Sequence, residues 1–369
     1  MIAEGLVKTS YSNDDILFLL KDVTEDFAES TLEEREKAVQ TGGHYAERLP
    51  VEYRPSEEYT KLYRKSVEKT KEQMGYLVGL LTHRIHLHAK TGDVVLVSLA
   101  RAGSPIGILV RRYAQQFLNM EWPHYSVSIL RGKGIDENAM RTIRRIHPNS
   151  RIQFVDGWTG KGAIQHELTA SVQRLNKEEN LALTDDLAVL ADPGACAVLF
   201  GTREDVLIPS ACLNATVSGL VSRTILNSRY IGEEDFHGAK FYGELQEEDL
   251  SNDFINKISA CFSSVAERAE KEALSTPVRQ NRTWQGKMEV EEIGRKMYSG
   301  TNHQLIKPGV GETTRVLLRR DPWKILINNL EHPSVQHLLV LAEEKNVPVE
   351  VVPDLFYRAI GLIKSGQEI

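Results

Sequence analysis

The sequence predicts a mixed α/β protein in which a parallel-sheet, Rossmann-like domain is followed by a small α/β unit. Three observations predict it. Short β-branched runs alternate with amphipathic stretches between about residues 93 and 200, the pattern of a parallel sheet with right-handed crossovers. Two Gly-containing turns, at 100–104 and 156–163, each follow an apolar run and precede an amphipathic one. A polar, Gly-rich stretch at 275–312 then sets apart a C-terminal segment with its own pattern.

Residues 1–55 are acidic and mixed in pattern and read as a helical extension or cap. Tyr59, Leu62, Tyr63, Val67, Met74, Leu77, Leu80 and Leu81 recur at helical spacing, so one long helix is expected over 57–90, stopped by Gly92. The main domain, 56–274, then reads as strand 93–99, helix 105–117, strand 125–130, helix 138–146, strand 152–155, a helix faced by Ile164, Leu168, Val172 and Leu175, and strands 187–190 and 197–200. Residues 275–312 read as a linker. The last unit, 313–369, is expected as strand 315–319, helix 335–345, strand 348–352 and a final helix over 357–364.

Composition bounds the function. A net charge of −6 argues against whole-protein affinity for polyanions, so any nucleic-acid contact needs a local basic patch. Cys196, Cys212 and Cys261 lack the spacing of a zinc site or a disulfide framework. No basic leader precedes an apolar stretch, and no apolar run approaches the roughly 18 residues of a membrane span, so the cytoplasm and no membrane partner are expected.

Both turns have the chemistry of anion cradles. In Ala100-Arg101-Ala102-Gly103-Ser104, small residues let backbone amides approach a ligand at a helix start and Arg101 adds a cation. In the second, Asp156 at a strand end can hold ribose hydroxyls or hydrated Mg²⁺, and Thr159, Gly160, Lys161, Gly162 and Ala163 can wrap a monophosphate. Neither a Walker loop nor a dinucleotide fingerprint fits the second turn's spacing, and an ordinary Gly-rich turn stays open as a reading. Arg131 and Lys133, on a Gly-flanked loop, could meet a departing pyrophosphate.

In the turns 100–104 and 155–163 the chain resembles the type I phosphoribosyltransferase fold, and SLARAGSPIG, FVDGWTGKG and GTREDVLIPSACLNATVSGLVSR carry a closer resemblance. More closely it resembles a bacterial family of tellurium-resistance and stress operons, also labelled the cysteine protease StiP family, with a C-terminal pelota-type RNA-binding domain. The resemblance implies a Mg²⁺-dependent phosphoribosyltransferase. Its partners would be 5-phosphoribosyl-1-pyrophosphate and a base-like acceptor, with pyrophosphate on Ala100–Ser104, the 5-phosphate on Thr159–Ala163, and Asp156, Arg131 and Lys133 catalytic. It would place an acceptor hood at Asp192, Arg203 and Arg223. The loop departs from the wider fold, because Asp156 is followed by Gly157 where a second acidic residue is usual.

Two other readings stay open. One is a non-catalytic phosphoribosyl or nucleotide sensor that regulates RNA. The other is a cysteine protease with Cys212 as nucleophile and His124, His166 or His237 as base. In the C-terminal unit Arg319, Arg320, Trp323 and Lys324 are the candidate RNA contacts, with Trp323 able to stack on a base. The acceptor, the RNA target and the oligomeric state, a homo-oligomer included, are not specified by the residues.

Overall fold

The computed structural model describes residues 5–27, 29, 45–49, 51–90, 92–276, 281–298 and 303–364. The main sheet has the order β1-β4-β3-β6-β7-β8. Its strands are β1 (Leu17–Phe18), β3 (Val94–Ala100), β4 (His124–Leu130), β6 (Arg151–Trp158), β7 (Leu187–Ala191) and β8 (Leu199–Thr202). All of these pair in parallel. A short β5 (Gly134–Ile135) turns back antiparallel on β4. β2 (Lys21–Asp22) pairs instead with β9 (Gly238–Ala239).

Both faces of this sheet are covered, which is why its strands read as near-continuous apolar runs. Val94, Leu96, Val155 and Leu190 face one core with α1 (Glu57–Ala89), α2 (Gly103–Tyr113), α5 (Ser251–Ser259) and α6 (Phe262–Ser275). Val95, Val97, Phe154 and Val189 face the other with α3 (Glu137–Ile146) and α4 (Ala163–Glu179). The side-chain period of two along β3 and β6 produces this split. α1 starts at Ser56, whose hydroxyl accepts the Tyr59 amide at 3.3 Å, and ends on Lys90 in the left-handed conformation.

The chain order around β3 reverses, β4 lying to one side and β6 to the other. Ligand crevices in open α/β sheets form at such a reversal, beyond the carboxyl ends of the strands. Here those ends carry Ala100 and the residues after it on β3, and Asp156 and Trp158 on β6.

The C-terminal unit is a four-stranded sheet, order β10-β13-β11-β12. It comprises α7 (Gln285–Met297), β10 (Ile306–Pro308), α8 (Val310–Arg319), β11 (Pro322–Ile327), α9 (Gln336–Glu344), β12 (Val349–Val351) and β13 (Ala359–Ile363). Val310, Leu317 and Leu338 belong to the same core as Val155 and Leu190, so apolar packing runs unbroken from the main sheet into this unit.

Several expectations are corrected. Residues 315–319 are the end of helix α8, because Val310, Thr314 and Leu317 form a buried helical face. Residues 359–363 form the central strand β13; a fully buried apolar run carries no period that separates strand from helix. The stretch read as a linker contains α7 and β10. The described part of the N-terminal segment forms the short strands β1 and β2, not helix, while much of it, 30–44, lies outside the described residues. No helix among the described residues is long and apolar enough to cross a membrane.

Candidate functional site

At the carboxyl ends of β3 and β6 a cleft of about 810 Å³ opens between the main sheet, the extended segment 51–55 and helix α8. Its floor is fixed by close backbone approach. A Cβ on Gly103 would lie 2.4 Å from the Val155 carbonyl oxygen, so the 100–104 turn is pressed against β6. Ser98 Oγ donates to the Gly103 carbonyl at 3.0 Å, and Ser104 Oγ shares a hydrogen bond with Ser126 Oγ at 2.8 Å. Arg101 and Asp156, both singled out by the sequence, meet in this cleft. Arg101 donates to the Val221 carbonyl at 2.7 Å and lies 3.7 Å from Glu52. Asp156 accepts the Gly157 amide at 2.7 Å. Burial raises its carboxyl to about 7, the Gly157 amide opposing and Glu312 adding to the rise.

The second turn does not form an open phosphate cradle. Thr159 Oγ1 donates to Asp192 at 2.7 Å and accepts the Gly194 amide at 3.1 Å. Tyr357 Oη donates to the Gly160 carbonyl at 3.2 Å, and Lys161 Nζ donates to the His303 carbonyl. Gly162 has φ of +81°, and a Cβ there would lie 2.5 Å from the Trp284 ring. Trp284 and Tyr357 of the C-terminal half therefore pack directly against this turn. Burial, with Lys307 and Arg131 adding, lowers Lys161 to about 8.

The remaining expected residues divide. Arg131 and Lys133 lie on an exposed turn whose Gly132 amide is held by Glu167 at 2.8 Å. Asp192 is fully buried and acts structurally, accepting the Cys196 and Ala197 amides at 3.0 and 3.2 Å. Arg203 lies 3.5 Å from Asp192 and stacks over Phe200. Arg223 lines the cleft and donates to the Arg48 carbonyl. Arg319 and Arg320 also line the cleft, Arg319 half-buried and Arg320 exposed. Arg319 donates to the Cys212 carbonyl at 2.7 Å and to Asn214; burial, then neighbouring Arg315, lowers it to about 9. Trp323 is exposed, edge-on to Tyr298, with Lys324 Nζ 4.9 Å from its ring and 2.9 Å from Glu350. The sequence reading missed Lys307 and Glu312 as cleft residues, since only the packing of α8 onto the main sheet brings them there.

Cys212 closes the 3₁₀ turn Pro209–Cys212, whose Ser210 and following Leu213 line the cleft. Burial raises its thiol to about 12, with Arg319 and Arg315 pulling the other way. Cys196 is also buried and raised to about 12, by burial and then Asp192. Two of the bases weighed for Cys212 are engaged elsewhere. His124 is bonded to Ser98 Oγ at 2.8 Å and to the Asp15 carbonyl at 2.9 Å, and His237 to Ser128 Oγ at 2.8 Å.

A parallel α/β domain with a thiol beside a cationic cleft, joined to a small α/β domain, defines the class. The relatives define the family. Residues 9–259 match the family of the tellurite-like stress resistance cysteine protease StiP, and residues 284–365 match the PELOTA RNA binding domain. The chain is 32% identical over 367 residues to the cysteine protease StiP of Acinetobacter baylyi, spanning 96% of this chain and 94% of that one. A hypothetical protein from Neisseria gonorrhoeae, solved with bound ppGpp, aligns with 36% of this chain and 80% of its own at 16% identity and a TM-score of 0.25. The chain belongs to the StiP family and carries a pelota-type domain.

This membership overturns the phosphoribosyltransferase expectation. The physical counterpart is the 159–163 turn with aromatic rings packed against it. One prediction follows from it. Trp284→Ala should leave a void against Gly162 and Cys196 and destabilise the chain by about 3 kcal/mol, seen as a lower denaturant midpoint.

Proposed function

We propose that the protein is a cysteine protease of the tellurite-like stress response, with Cys212 as nucleophile and the cleft beneath α8 as its substrate site. Family membership across residues 9–259 carries this reading. The geometry contributes the choice of thiol. Of the two fully buried cysteines, Cys212 ends a turn that forms cleft wall, whereas Cys196 lies beneath Gly162. In the closed form Cys212 is a thiol, because burial outweighs the two arginines. Water or substrate entering from the cleft removes the burial penalty and leaves Arg319 and Arg315 as the influences that favour thiolate. Thiolate attack on a peptide carbonyl then gives an acyl-enzyme and an amine, and water releases the acid.

The C-terminal domain adds an RNA-binding role at the face of exposed Trp323 and neighbouring Lys324, since Arg319 is held inward by the Cys212 carbonyl. Hydrolysis of a fluorescent casein substrate by the wild type and by Cys212→Ala, Cys196→Ala and Cys261→Ala variants tests the assignment. Loss confined to Cys212→Ala is expected. Full activity in that variant overturns the choice of thiol, and a folded wild type without turnover overturns the protease reading.

A further inference from the structure

The walls of the cleft hold seven cationic side chains against three carboxylates, in a protein whose overall charge is −6. Among the described residues, the side chains of Lys307, Arg315 and Arg320 form no hydrogen bond or ion pair within the chain. They nevertheless stand close enough together that each depresses a neighbour: Lys307 is lowered by burial and further by Arg131, Arg320 and Arg315, against Glu312. Gathering like charges in a partly dry cleft costs free energy that a bound anion would offset. Tyr53, Tyr59, Trp158 and Ile164 line the same cleft with exposed or half-buried side chains, which suits a chain with apolar as well as acidic groups better than a bare polyphosphate.

The protein shows how such a chain is held. Residues 51–55 run along the cleft without helix or strand. Glu52 on that segment is nearly buried, 3.7 Å from Arg101, with its Oε1 accepting the Ala215 amide at 3.2 Å. One acidic side chain on one extended segment thus takes one cation and one backbone amide, and the three cations across the cleft have no such partner.

We propose that the cleft binds extended polypeptide rich in Asp and Glu, alongside segment 51–55, with its carboxylates on Lys307, Arg315 and Arg320. This rests on the protease reading for its consequence, substrate choice, but binding can be measured without turnover. Fluorescence anisotropy of full-length Cys212→Ala protein with three labelled decapeptides, Glu-rich, Gln-rich and Lys-rich, provides the test. The Glu-rich peptide should bind at least tenfold more tightly than the Gln-rich one, and salt should weaken it steeply. Arg315→Gln with Arg320→Gln should weaken it about tenfold or more, while Glu312→Gln should tighten it, a gain that a misfolded variant would not give. Equal affinity for the Glu-rich and Gln-rich peptides overturns the proposal. So does an oligouridylate that binds with the same arginine dependence while the peptide does not, which would make the cleft an RNA site. If the wild type binds the acidic peptide but cleaves nothing, the protease reading falls and this inference stands. Cleavage of neutral and acidic peptides alike does the reverse.

Discussion

Carbamidomethylation of Cys212 by iodoacetamide should accelerate about tenfold for each pH unit between 7 and 10, roughly a thousandfold in all. The thiolate is the reactive species. With burial raising the thiol to about 12, the thiolate share at pH 7 is on the order of 10⁻⁵, and below the pKa it grows in proportion to hydroxide. Mass spectrometry of the Cys212 peptide reads the rate directly. A fast reaction at pH 7 that ignores pH would mean that Arg319 and Arg315 already dominate over burial. Cys261, less buried and itself raised, serves as the internal reference. An acidic peptide seated in the cleft changes both access and hydration at the Pro209–Cys212 turn, so the same measurement with and without it reports how the closed form is activated.

Asp205→Asn should lower the thermal midpoint by about 5 °C at neutral pH. Asp205 is buried and its two oxygens accept the Val310 amide at 2.8 Å and the Arg358 amide at 2.9 Å. It thereby caps α8 and ties the approach to β13 in the same stroke. Asn keeps one acceptor and sets an N–H against the other amide, a loss of about 2–3 kcal/mol for a charge-assisted bond with its partner left unsatisfied, and a chain of this size loses about 2 °C per kcal/mol. The pH dependence has a defined sign. Burial raises the folded carboxyl to about 6, above its ordinary 3.8. The folded state therefore holds the proton more tightly, and this stability is present below pH 3.8 and lost as pH rises through 6. The wild type's margin over Asn is thus widest near pH 4 and narrows toward pH 7, measurable by melting curves of both proteins across that range.

The alternation of apolar runs with amphipathic stretches made the parallel sheet legible, because strands buried on both faces must be apolar throughout. The turn after β3 and Asp156 at the end of β6 were legible for the same reason: a reversal in strand order puts two strand ends side by side. Lys161 and Gly162 show where reading stops. Their turn has anion-cradle chemistry locally, and only Trp284 and Tyr357, more than a hundred residues away, decide that aromatic rings pack against it. Arg319 is similar. Composition marks it as a surface cation, yet the packing of α8 against Cys212 and Asn214 turns it inward. Long-range packing of this kind leaves no period or spacing in the sequence.

The apolar core shared by Val155, Leu190, Val310 and Leu317 has a consequence for cooperativity. Layers that share one core cannot melt separately without exposing it, so the chain should unfold in a single calorimetric transition rather than two. Free energy gained by a ligand on any part is then returned to all of it. An oligonucleotide that settles on Trp323 would protect amides of β3 from hydrogen exchange as surely as those of β11.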